Sequence, residues 1–215
     1  MLNTKGMTKA KYKDCSINKI KKEYAKIIEK NKFKNIEQQM QHDIDNALYS
    51  DYGLALNITT GNIKMISAYD AQSASELQEL IKEKTGEKYI VEDKTYYYSA
   101  DDLIDYVAKK SGDVSMGETL KKFFNSLDDE KHMRINIEEY KSMIKERFKD
   151  KSEEEINELA NKFRQLYKTE ILLILANKKN KDLLNELIEK LVGDYDPEKL
   201  YNDFYIAAYS TKLQG

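Results

Sequence analysis

The sequence predicts a predominantly helical α+β fold: a small antiparallel β-hairpin region of order β-β-α-β-β-α, followed by a C-terminal helical bundle. Three observations predict it. Apolar residues recur at spacings of three and four over most of the 215 residues. That rhythm gives way to alternation in two short stretches between residues 53 and 98. Most of the helical segments open on a Ser, Asn or Asp able to cap, often with an acid three residues later.

The elements follow in order. Ile17, Ile20, Tyr24 and Ile27/Ile28 predict an amphipathic helix over 16–31 with Ser16 as its cap. Ile36, Met40, Ile44 and Leu48 predict a second over 35–49. Leu54, Leu56 and Ile58 alternate with smaller or polar residues, and Ile63 to Tyr69 is also extended. Thr60-Gly61-Asn62 between them is a hairpin turn, because Gly and Asn tolerate positive φ. Ser73-x-x-Glu76 is a capping box for a helix that Gly86 stops. Lys88 to Val91 and Thr95 to Tyr98 are expected to form a second hairpin around Glu92-Asp93-Lys94, before Ser99-x-x-Asp102 opens a helix ended near Gly112.

From Ser115 onward only helices are expected. Ser115-x-x-Glu118, Asn136-x-x-Glu139 and Ser152-x-x-Glu155 open three of them. The last of these is the longest and becomes apolar on all sides at Ile171 to Leu175, which makes it the central helix of the bundle. Asn180 caps the next helix, and Asp196-Pro197 starts the final one. The expected organisation is a basic N-terminal segment (1–34) carrying an amphipathic helix, a small α+β domain (35–112) and a helical bundle (113–215).

Charge is unevenly distributed. Residues 1–34 hold eleven lysines against Asp14, Glu23 and Glu29, a net +8, whereas the remaining residues carry 25 basic and 35 acidic groups, a net −10. Hydrophobic residues make up 40% of the chain and charged residues 34%, with a mean hydropathy of −0.75, so a core is affordable and the surface is heavily solvated. A lone Cys15, a polar N-terminus and no apolar run approaching the roughly 20 residues of a membrane span predict a cytoplasmic protein. Abundant Lys, Asn, Ile and Tyr with no Trp accompany AT-rich genomes, including those of phages. The expected location is the host cytoplasm if the gene is phage-borne.

The chemistry is sparse. The eight glycines are scattered, which excludes a Gly-rich phosphate loop. One Cys and two His cannot form a zinc site of the usual kinds. No catalytic residue, metal ligand or cofactor is assigned. Four groups of residues carry what reactive or binding chemistry the chain offers. His42-Asp43-Ile44-Asp45, with Glu37 in helical reach, reads as a polar helix face ahead of a general base. Asp128-Asp129-Glu130 with His132 reads as a solvated loop ahead of a metal site. The lysines Lys9, Lys11, Lys13, Lys19, Lys21, Lys22, Lys26 and Lys30, with Lys32 and Lys34, suit phosphate contact without sequence readout, or docking on the chain's own acidic body. Tyr96, Tyr97 and Tyr98, and the row Tyr201, Tyr205, Tyr209, suit either core packing or a protein-docking surface.

The function expected is therefore that of a non-catalytic protein-binding module. It would act as an inhibitor or adaptor from a phage or mobile element, using an acidic, Tyr-rich surface against a nuclease or defence protein of the host. The alternative is a nucleic-acid-binding regulator using the Lys-rich segment.

Overall fold

The computed structural model describes residues 6–91, 96–127 and 137–214, apart from the side chain of Glu139. Its helices are α1 (Met7–Tyr12), α2 (Ile17–Lys30), α3 (Ile36–Asn46), α4 (Ala68–Thr85), α5 (Ala100–Ser111), α6 (Val114–Ser126), α7 (Ile137–Arg147), α8 (Glu153–Ala176), α9 (Lys181–Lys190) and α10 (Pro197–Gln214). Between α3 and α4 lie β1 (Tyr52–Leu56) and β2 (Ile63–Ser67). The fold is α+β and predominantly α, with a two-stranded antiparallel sheet among the described residues.

The first hairpin forms where its turn chemistry places it. Gly61 sits at φ 73°, a left-handed conformation that a residue with Cβ adopts at a cost. The ladder pairs Gly53 with Ile66, Ala55 with Lys64, Leu54 with Met65 and Leu56 with Ile63. Side chains alternate across a strand. Leu54 and Met65 therefore join the main core, while Ala55, Lys64 and Ile66 turn toward α2 and α4.

The second hairpin is not formed as expected. Lys88–Val91 take no strand conformation, and Tyr98 alone makes an isolated antiparallel bridge, to Ile63. Residues 92–95 lie outside the described residues. Among the described residues, the β-β-α-β-β-α order is thus replaced by one hairpin and a single bridging residue. The physical reason is that Tyr98 is drawn inward by a buried hydrogen bond, described below, instead of pairing with a local partner strand.

Caps set most helix starts. The capping boxes at Ser99/Asp102 and Ser152/Glu155 are both complete. The Asp196 carboxylate accepts from the backbone N–H of Glu198 and Lys199. Two expected starts move. α4 begins at Ala68 with Ser67 accepting from the Asp70 N–H, so Ser73 is a buried residue inside the helix, bonded to Thr8. α6 begins at Val114, with Asp113 as the capping acceptor in place of Ser115. α4 and α5 end on Gly86 and Gly112, both left-handed.

Among the described residues, three apolar clusters hold the elements together. The largest gathers α3, β2, α5, α6, α8, α9 and α10 around Ile171 to Leu175, all buried, so α8 has the central place its all-round apolar segment predicts. This cluster runs across Gly112, with Met40 and Leu103 on one side of it and Phe123 and Phe204 on the other. The second joins Tyr12, Ile20 and Tyr24 to Leu77, Leu80 and Ile81 of α4. The third packs Tyr140 and Ile144 of α7 on Ile156, Leu159 and Ala160 of α8. Burying a large apolar side chain contributes roughly 1.5–3 kcal/mol. Among the described residues, no helix is long and apolar enough to cross a membrane.

Candidate functional site

His42 and Asp43 come together as neighbours on α3. The Asp43 side chain is fully buried and takes four donors: Gln39 Nε2 at 2.7 Å, Met65 N at 3.0 Å, the Tyr98 hydroxyl at 2.5 Å and His42 Nδ1 at 3.1 Å. A carboxylate offers about four lone-pair sites, and these are filled. A carboxylate only accepts, so the His42 proton is assigned to Nδ1; the centre of its ring lies 4.9 Å from that of Phe33 and 6.1 Å from that of Tyr52. Burial, then the charge of Asp43 and its hydrogen bond, push the Tyr98 phenol well above its ordinary value, so it stays a donor. The arrangement is a structural knot tying α3 to β2 and to the segment before α5. Glu37 turns away to Lys109 and Asp45 to Gln41. Among the described residues, no three His, Cys, Asp or Glu side chains converge as metal ligands. The Asp128-Asp129-Glu130 and His132 group lies outside the described residues.

The lysine-rich segment folds against α4. Its apolar side enters the second cluster. The backbone N–H groups of Gly6 and Lys9 donate to the Glu76 carboxylate at 2.8 and 2.9 Å. The Lys9 ammonium bonds to Glu83 and lies 3.6 Å from Glu79. Lys30 reaches the buried Asp70 at 3.2 Å, Lys32 pairs with Glu29, and Lys21 lies over the Tyr89 ring. Lys11 and Lys13 are exposed on and after α1. Lys19, Lys22, Lys26 and Lys30 are exposed along one face of α2, flanked by Glu23 and Glu29. Lys34 is exposed and its carbonyl accepts from the Tyr96 hydroxyl.

The tyrosines divide. Tyr98 (0% exposed) and Tyr201 (3%) belong to the main core and present no ring to solvent, which removes them from any docking surface in this fold. Tyr97 is half-buried over Lys64, and Tyr96 is exposed. The row Tyr201, Tyr205, Tyr209 winds outward for a geometric reason: at 3.6 residues per turn, a step of four overshoots a full turn by about 40°. Tyr205 and Tyr209 are consequently half-buried, with ring centres 4.5 Å apart. The Tyr209 hydroxyl donates to Glu170, which also holds Lys212 at 3.0 Å. Burial, then that bond, push the Tyr209 phenol above its usual value.

Two residues overlooked in the sequence complete this face. Ile206 (58% exposed) and Leu213 (83%) project outward beside Tyr209. Their signal was present as an i, i+7 pair on the side of α10 opposite Leu200 and Phe204. Asp194, Asp196, Glu198 and Asp203 surround the start of the helix in exposed positions.

No family model, curated protein or solved structure matches the chain.

Proposed function

We propose that the protein is a non-catalytic protein-binding module whose docking surface is the outer face of α10. The observation that carries this reading is the pairing of exposed Ile206 and Leu213 with Tyr205 and Tyr209, whose rings meet at a tilt of 33° and of which the Tyr209 hydroxyl is tied to Glu170. Aromatic rings already held in place lose little entropy on binding, and apolar anchors beside them are the usual source of interface affinity. The acids at the start of the helix favour a partner with an apolar recess and cations at its rim. A basic groove of a nucleic-acid-processing enzyme has that chemistry, and an inhibitor or adaptor carried by a mobile element would use it. The test is capture of a protein from nuclease-treated host extract by the wild type, alongside Ile206→Asp and Leu213→Asp. A partner held by the wild type and lost by both folded variants supports the reading. A partner held equally by all three overturns it.

A second reading is favoured by the exposed row Lys19, Lys22, Lys26 and Lys30 on α2. The row covers 12 residues, about 17 Å at 1.5 Å per step, and could follow a phosphate backbone. Glu23 and Glu29 beside it and Asp70 beneath Lys30 lower its field. Charge reversal at Lys19 and Lys26 should abolish salt-sensitive binding to non-specific nucleic acid if this reading holds. Substitution is preferable to removing 1–34, which would strip Tyr12, Ile20 and Tyr24 from Leu77, Leu80 and Ile81.

A further inference from the structure

α1 is a six-residue helix, too short to hold itself together in water. It forms because α4 supplies what its own sequence lacks. Gly6 stands at its start with no side chain to receive the free N–H groups of the first turn. Glu76 of α4 receives them instead, one oxygen taking the Gly6 N–H at 2.8 Å and the other the Lys9 N–H at 2.9 Å. Thr8 and Ser73 share a hydroxyl hydrogen bond of 2.9 Å. The Lys9 ammonium bonds to Glu83 and lies 3.6 Å from Glu79. Tyr12 is the buried residue of this short helix and its apolar anchor, entering the cluster of Leu77, Leu80 and Ile81, while Met7 and Lys11 stay exposed. α2 has a hold of its own on α4 through Ile20 and Tyr24, and only Lys13 to Ser16 join it to α1.

Each contact of α1 is one that a separate peptide could make, since its hydrogen bonds to α4 span 65 to 74 residues of sequence. Ordering a chain end offsets much of what a few such contacts return, so a strap of this size opens while the core stays closed. We propose that the face of α4 carrying Ser73, Glu76, Glu79 and Glu83 is a docking site for a short basic helix of a partner protein. α1 is its resident occupant, an autoinhibitory strap that the partner displaces. The three acids set the chemistry of that partner: a cation at the third helical position, where α1 has Lys9, and an aromatic ring at the sixth, where it has Tyr12. This face is separate from that of α10, so either assignment can fail without the other.

The probe is the peptide from Gly6 to Asp14 of this chain, acetylated and labelled with fluorescein, titrated against the full chain by fluorescence anisotropy. The wild type, closed by its own α1, is expected to bind it weakly. Tyr12→Ala in the full chain removes the anchor of the strap and leaves α4 unchanged. It should bind the peptide about tenfold more tightly, the gain expected when the open fraction rises from about a tenth toward one. Adding Glu76→Ala to that variant should lower the affinity about tenfold, with thermal melts showing that both variants are folded. Hydrogen exchange of the wild type needs no variant: the amides of Ala10 to Tyr12 should exchange together and well ahead of those of Leu77 and Leu80. The proposal is overturned if the peptide does not bind Tyr12→Ala, if the wild type binds it as tightly, if Glu76→Ala leaves the affinity unchanged, or if the α1 amides exchange as slowly as those of α4.

Discussion

The Tyr98 hydroxyl donates to Asp43 Oδ2 at 2.5 Å across 55 residues of sequence, and both side chains are fully buried. This contact closes the fold around the hairpin: Asp43 also accepts from Met65 N on β2, and Tyr98 exchanges two backbone hydrogen bonds with Ile63. Tyr98→Phe removes one donor from a buried carboxylate without changing the ring. It should cost about 2 kcal/mol, the usual range for a hydrogen bond to a charged group. Asp43→Ala, which strands the other donors as well, should cost about 3 kcal/mol or more. Urea denaturation of the two variants checks both values.

The docking of α1 should depend on pH through Glu76. Burial raises this carboxyl, but the N–H groups of Lys9 and Gly6 and the Gln72 amide more than offset it, leaving the group below its ordinary 4.5. A depressed folded value means the contribution is fully present above the unfolded value and is lost as pH falls through the folded one. α1 should therefore stay docked at neutral pH and loosen below about pH 4. Hydrogen exchange at Ala10 to Tyr12 should accelerate there relative to the α8 amides, and Glu76→Gln should show the faster exchange already at pH 7.

Asn177 links the end of α8 to α3. Its amide donates to the Ile44 carbonyl at 2.8 Å, while its side-chain oxygen accepts from the Lys179 N–H. Asn177→Ala leaves a buried carbonyl without that donor and should cost about 2 kcal/mol. The loss should appear as a lower urea midpoint with an unchanged slope.

At Gly117, α6 comes close against Ala108 of α5. A Cβ there would stand 2.9 Å from the Ala108 Cβ, closer than such atoms approach. Gly117→Ala gains helix propensity but meets that obstacle. A double-mutant cycle with Ala108→Gly should give a coupling of about 1 kcal/mol, the alanine at 117 being better tolerated when 108 is glycine. Equal effects in both backgrounds would show that the helices simply move apart.

Features with local causes were legible in the sequence. The boxes at Ser99/Asp102 and Ser152/Glu155, the Gly61 turn and the stops at Gly86 and Gly112 each involve residues within a few positions of one another. Ser73 misled because a capping pattern also fits a helix interior: the true cap, Ser67, stands six residues earlier, and the Ser73 hydroxyl turns to Thr8. The site was less legible. Asp43 reads as one more acid on a polar face until Met65, 22 residues on, and Tyr98, 55 on, supply its donors.

The sequence alone determined the helical character, the hairpin turn, the buried centre of α8 and the unequal charge of the two parts of the chain, because these follow from periodicity, caps and composition. Tertiary structure alone decided that Tyr98 bridges Ile63 instead of building a second hairpin, that the lysine-rich helix rests on α4, and that Tyr201 sinks while Ile206 and Leu213 face outward. Those outcomes depend on which distant surfaces meet, and a buried carboxylate or an apolar stripe has its energy set by partners that no neighbouring residue specifies.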